Sequence, residues 1–243
     1  MALRHLRLIA VNIDGVLLND TFSPVIHRFV VRHGREYTAE LERAVLSQPQ
    51  LRAAEAMGVP GTPEEVVEAY FRERRAYLVD HPVQIMEGAG ALLTRLRATG
   101  AHLVCYGGLG RSHFDRHLGP YAEYFDGPGY VCTDAFRPGV REIAEDVFGV
   151  RPDQALFIDD VARVAEAARD LGAAFIGHPT TYEHSFQRQL MHAAGVRHLV
   201  GSLAEIDERL LRIVDAEAAG GRRGQHGGAA NAAVVGGPVC TLA

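Results

Sequence analysis

The sequence predicts an α/β fold: a doubly wound parallel sheet of Rossmann type, with an all-helical cap inserted after the first strand. Three observations carry this. Short apolar runs alternate with amphipathic helical stretches through most of the 243 residues. Residues 19–85 interrupt the alternation with helical signals only. The polar residues cluster where predicted strands end, which is where an open parallel sheet binds ligands.

Taken in order, "LRLIAVNI" is a continuous apolar strand that delivers Asn12 and Asp14 to the rim, two apart and so on one face. The block that follows contains "HRFVVRHGREYTAELERAVL", a helical stretch with an interruption expected at Gly34. It also contains "TPEEVVEAYFRERRAYLV", where Thr62, Pro63 and Glu65 spell a capping box with proline in the first turn. "GAGALLTRLRATG" is a helix stopped by Gly100, and "HLVCY" the strand after it. "RPGVREIAEDVFGV" reads as a helix from Pro138 to Gly149. "ALFID" is a strand, "VARVAEAARDLG" a helix ending at Gly172, and "AAFIG" a further strand. "YEHSFQRQLMHAAG" is helical, "RHLVG" strand-like, and "LAEIDERLLRIVDAEA" closes the fold as a helix. The organisation expected is a core over 1–18 and 86–215, a cap over 19–85, and a Gly/Ala-rich tail over 216–243. The tail cannot bury enough surface to offset its ordering entropy, so disorder is expected there.

Composition narrows the function classes. The chain is 47% hydrophobic and 23% charged, with a net charge of −5. That is an ordinary globular balance with no basic excess to recommend a nucleic acid or an anionic membrane. All 25 basic residues are arginine, so no lysine amine is present for a Schiff base or a phosphate clamp. Cys105, Cys132 and Cys240 fit no zinc spacing, and their odd number argues against a disulfide framework. The N-terminal "MALRHLRLIAV" has no apolar run of signal-peptide or membrane-span length, so a cytoplasmic protein with reduced thiols is expected.

The rim residues suggest a cation and an anion. Asp159 and Asp160 end one strand, facing Asp14 on another, an arrangement suited to Mg²⁺. Gly107 and Gly108 end "HLVCY", where backbone N–H groups can meet an anion, with Arg111 following. His113 and His117 share a helix face at i, i+4, without a third zinc ligand marked. His178 and His184 flank a loop placed to reach the rim, and Cys105 reads as a small core residue.

Together, "NIDGVLLND", "VQIMEGAGALLTRLRATGAHLVCYGG", "DAFRPGVREIAEDVFGV" and "ALFIDDVARVAEAARDLGAAFIG" resemble, in order and spacing, the four motifs of the haloacid dehalogenase superfamily of phosphatases and phosphomutases. The resemblance covers about residues 6–215. It implies an aspartyl-phosphate mechanism with Mg²⁺, and it assigns roles position by position. The nucleophile position holds Asn12, an amide and a poor nucleophile. The acid/base position keeps Asp14. The hydroxyl position is Gly107, beside Gly108. The lysine position is Arg137, and the metal-binding acids remain as Asp159 and Asp160, with Asp14. A single exchange at Asn12 would leave Gly107 and Arg137 unexplained. The expectation is a homologue that has lost phosphoaspartate chemistry and binds a phosphorylated small molecule or a protein partner, with Mg²⁺ weakened by Asn12. Two alternatives stand beside it: a Mg²⁺-dependent hydrolase using Asp14 with Asp159 and Asp160, and an accessory protein docking through its cap or its Cys240 tail.

Overall fold

In the computed structural model, residues 2–225 are described; the expectations for Cys240 and the rest of the tail beyond residue 225 lie outside them. Five parallel strands form one sheet: β1 (Leu8–Asn12), β2 (His102–Gly107), β3 (Tyr130–Cys132), β4 (Ala155–Asp159) and β5 (Ala174–Gly177), in the order β3-β2-β1-β4-β5. β1 lies at the centre, pairing Asn12 with Tyr106 of β2 and Val11 with Ile158 of β4. The order reverses across β1, so its carboxyl end is a topological switch point.

Alternation along β1 builds two cores. Ile9 and Val11 face Leu92, Leu93 and Leu96 of one helix, and Leu211 and Val214 of another. Leu8 and Ala10 face the opposite side, with Val140, Ile143, Val164 and Ala168. All five β1 side chains are buried, as expected of a central parallel strand.

The helices, numbered along the chain, are α1 (Ser23–Arg32), α2 (Ala39–Val45), α3 (Gln50–Met57), α4 (Pro63–Asp80), α5 (Ala89–Arg97), α6 (Arg111–Leu118), α7 (Ala162–Leu171), α8 (Gln187–Ala193) and α9 (Glu208–Gln225). The first four form the inserted cap, which has its own apolar centre around Val25, Phe29, Val45, Met57, Val66 and Tyr70. The capping box at Thr62 forms in full: Glu65 N donates to the Thr62 hydroxyl, and Thr62 N to the Glu65 carboxylate. Gly34, at φ 75°, ends α1 and lets the chain turn before α2. Where the chain leaves and re-enters the core, Asn19 N donates to Gln84 O at 3.0 Å and Gln84 N returns to Asn19 Oδ1 at 2.8 Å.

The cap is clasped to the core by its second helix. Glu42, fully buried, accepts from the Ser185 hydroxyl at 2.7 Å and from Phe186 N at 2.5 Å. Arg43 pairs through two nitrogens with Glu166, at 2.9 and 2.6 Å.

Several local expectations are corrected. The segment expected as one α-helix after Pro138 winds as a π-helix over Glu142–Val147, a register set by more residues per turn. "RHLVG" makes a single bridge, Leu199 to Gly177, in place of a strand. α8 covers only the second half of its expected span. α9 runs past Ala216 to Gln225, further than the disorder expected from residue 216. The turn before this continuation is tied down. There the Asp215 carboxylate accepts from Arg4 N, His5 N and Leu6 N at 2.8–3.0 Å. Those bonds hold its pKa below the ordinary value against the opposing effect of burial. Among the described residues, no helix is long and apolar enough to cross a membrane.

Candidate ligand site at the sheet rim

β1 ends in Asn12, and the chain turns at Gly15 with φ 85°. A Cβ on Gly15 would lie 2.1 Å from Asp160 Oδ2, so only glycine lets this carboxylate approach the turn. Asn12 then does what an aspartate cannot. Its Nδ2 donates to Asp160 Oδ1 at 2.9 Å. Both side chains are buried, at 5% and 7% exposure. A carboxylate in that place would set two acceptors, and two like charges, against each other.

The remaining acids are each engaged. Asp14 Oδ1 meets His113 Nε2 at 2.9 Å, bringing the start of α6 onto the turn after β1. Asp159 points away from Asp160: Oδ1 accepts from Val161 N at 2.7 Å, and Oδ2 accepts a hydrogen bond from the Tyr106 hydroxyl. Burial raises the pKa of both neighbouring acids, and the Asp159 charge adds to the rise at Asp160. Burial and then Asp159 raise the Tyr106 hydroxyl well above its ordinary value, so it remains a donor.

Arg137 reaches the rim from the other side of β2. Its guanidinium lies on Gly108, where a Cβ would come within 2.7 Å of Nη1. Nε is buried without a partner, and among the described residues no group accepts a hydrogen bond or forms an ion pair with this side chain. At Gly107 a Cβ would fall 2.5 Å from the Cγ2 methyl of Ile13. A side chain at Gly107 therefore has no room without a shift of Ile13.

The structure thus brings Asn12, Asp14, Asp160, Gly108 and Arg137 together around one cavity of about 110 Å³ between rim and cap. Gly107 stands just beneath it, and Asp159 is turned into the sheet. As donors for a divalent cation, these residues fit poorly. The Asn12 amide aims an N–H at Asp160, both Asp159 oxygens are taken, and His113 holds Asp14. Among the described residues, no three His, Cys, Asp or Glu converge as a metal site.

Of the other sequence candidates, His117 packs edge-on against His113 at 4.9 Å, and burial, then His113, lowers its pKa. His178 donates through Nδ1 to Gly15 O at 2.9 Å, bracing the turn from below. His184 stacks on His27 of the cap at 4.3 Å. Arg111 turns to Asp115 and Pro128. Cys105 is buried and Cys132 exposed, both free thiols. Sequence reasoning did not assign His113 to Asp14, Tyr106 to Asp159, or Asp20 and Tyr70 to the cavity lining. Only the i, i+4 histidine pair had left a signal.

No family model and no curated protein matches the chain. Solved structures do. A conserved haloacid dehalogenase-like protein of unknown function from Agrobacterium tumefaciens is 18% identical, with TM-score 0.57, over 88% of this chain and 99% of that one. A protein described as a predicted phosphatase, from Clostridium acetobutylicum, is 18% identical with TM-score 0.61, over 86% and 99%. A HAD family hydrolase from Deinococcus radiodurans, solved with bound phosphate and sodium, is 19% identical with TM-score 0.56, over 88% and 97%. With a five-stranded parallel sheet, an inserted helical cap and polar residues at the switch point, this chain has the fold of the haloacid dehalogenase superfamily.

Proposed function

We propose that this protein has left phosphoaspartate chemistry behind and uses the cavity between rim and cap to hold a small anionic molecule. One observation carries the reading: the amide at the nucleophile position is spent as a hydrogen-bond donor to Asp160. A neutral amide attacks phosphorus far more slowly than a carboxylate. The lack of room for a side chain at Gly107 supports the same reading, and so does the poor donor set for a cation. Arg137 supplies the anion-binding charge, and the bound phosphate of the Deinococcus structure makes a phosphorylated small molecule one natural class.

The test is phosphate release. The native chain, Asn12→Asp and Asp14→Ala are assayed with Mg²⁺ against a panel of phosphorylated metabolites and an aryl phosphate. A silent native chain is expected. Turnover by the native chain that Asp14→Ala abolishes would overturn the proposal. It would favour a rearranged hydrolase, a reading that the His113–Asp14 contact at 2.9 Å supports, since a histidine on a carboxylate is a general-base pair.

A further inference from the structure

Two contacts between cap and core differ in how they answer a proton. One is the Glu42 clasp on α2. The other lies on α1, where His27 faces the loop that joins β5 to α8. The His27 ring stacks on the His184 ring of that loop, with centroids 4.3 Å apart and planes 22° from parallel. His27 Nδ1 also meets the Tyr182 hydroxyl at 2.8 Å. Ser23 and Ile26 of the same helix line the cavity. Whatever moves α1 against the loop therefore moves a wall of that cavity.

Two neutral imidazoles stack without electrostatic penalty, and a first proton on the pair meets only a neutral ring. A second proton sets like charges on rings 4.3 Å apart. The Tyr182 hydroxyl does not sense the change, because it donates to a neutral Nδ1 and accepts from a protonated one. Burial first, and His184 second, lower the pKa of His27, while Glu183 opposes them. A histidine so shifted contributes its stability at higher pH and loses it as pH falls below its ordinary value of about 6.5.

The charged groups around the pair do not cancel this. Glu183 Oε1 lies 3.5 Å from His184 Nε2, but its side chain is 82% exposed and water screens it. On the cap, Tyr37 lies edge-on to His27 at 5.1 Å, and burial, then Glu42, keeps its hydroxyl neutral. Arg28 and Asp20 act on Tyr182 with opposite sign. Arg28 sits over the Tyr77 ring at 5.5 Å, and Asp20 is held by Phe22 N and Ser23 N. The Glu42 clasp answers acid in the other sense. Burial raises its pKa, so the closed seam takes up that proton more readily than an open one.

We propose that His27 and His184 form a proton-operated latch. The two rings hold α1 on the core loop near neutral pH. Double protonation in mild acid releases α1, and with it one wall of the cavity, while the α2 clasp stays shut. The latch acts on α1 whether or not an anion occupies the cavity.

The experiment is hydrogen–deuterium exchange of the full chain, read by mass spectrometry from about pH 7.5 to 5 and corrected for the pH dependence of chemical exchange. Peptides of α1 and α2 are followed together. Protection of α1 is expected to fall about fivefold, the repulsion of two unit charges about 4 Å apart in water. The midpoint should lie below about 6.5, and α2 should keep its protection. His27→Gln and His184→Gln should each flatten the response, since neither pair can then carry two charges. The His184 side chain is 50% exposed, so its exchange leaves the fold in place. In that variant the His27 titration, followed by NMR, should move upward, because a like charge has gone. Four results would each overturn the proposal. Protection of α1 could stay flat across the range, α1 and α2 could fall equally, the fall could persist in both glutamine variants, or the His27 titration could ignore His184→Gln. Phosphate release reports separately on Asn12 and bears on none of these readouts.

Discussion

Placing a hydroxyl at Gly107, the position that the family resemblance assigns to one, should damage this protein before it helps it. Gly107→Ser puts a Cβ 2.5 Å from Ile13 Cγ2, and Ile13 is fully buried. β2 cannot retreat, since it is hydrogen-bonded between β1 and β3, with Gly107 itself in register with Cys132. Overpacking of this kind costs about 2 kcal/mol, which in a domain of this size lowers Tm by about 4–8 °C. The severe clash is with Ile13, the Tyr130 hydroxyl lying further off at 3.2 Å, so a double-mutant cycle isolates its larger part. Ile13→Ala alone should cost about 2–5 kcal/mol by opening a cavity. In that background the cost of Gly107→Ser should fall to about 0.5 kcal/mol or less, because the opposing methyl is gone. Urea denaturation of the four chains reads every corner of the cycle. An equal cost of Gly107→Ser in both backgrounds would refute the argument, and with it the claim that Ile13 leaves no room for a side chain at Gly107.

Three further outcomes are expected. Asn12→Asp sets two carboxylates together, so its stability relative to the native chain should fall as pH rises from 4 to 8; Mg²⁺ should recover the loss in a thermal melt, while leaving the native chain unshifted. Glu42→Ala removes the acceptor for Ser185 and Phe186. It should cost about 2–4 kcal/mol in urea denaturation and expose the cap–core seam to limited proteolysis; cleavage unchanged from native would count against the clasp. Burial lowers the pKa of His178 below its ordinary value, so its contribution to stability is present at higher pH and lost as pH falls through about 6.5. His178→Gln should flatten that acid limb of the stability curve, and an unchanged slope would show that His178 does not carry it.

Most of the architecture was legible in the chain because its signals are local. The buried run at Leu8–Asn12, the box at Thr62 and the glycine stop after α7 depend on neighbours within a few residues. The short edge strand Tyr130–Cys132 and the π-turns of Glu142–Val147 were not legible, since both are fixed by what packs across from them. At the site, the residue types at positions 12, 14, 137 and 160 could be read, but their partners could not. His113 reaches Asp14 across 99 positions and Asn12 reaches Asp160 across 148. No periodicity spans such distances. The direction of Asp159 was equally hidden, because it turns on a tyrosine of a neighbouring strand.

The three backbone bonds to Asp215 set an order of events during synthesis. β1 is made before the other strands of its sheet, and domains emerge N-terminus first at about 5–20 residues per second. Yet the segment leading into that strand, Arg4 to Leu6, is held by a carboxylate made more than two hundred residues later. Its sheet partners β2 and β4 also follow it in the chain. This segment therefore waits for a helix made long after it. A nascent chain halted before residue 215 would display the rim residues without the anchor beneath them. Ribosome-bound chains of stepped length would show protection of β1 rising only after α9 has cleared the exit tunnel.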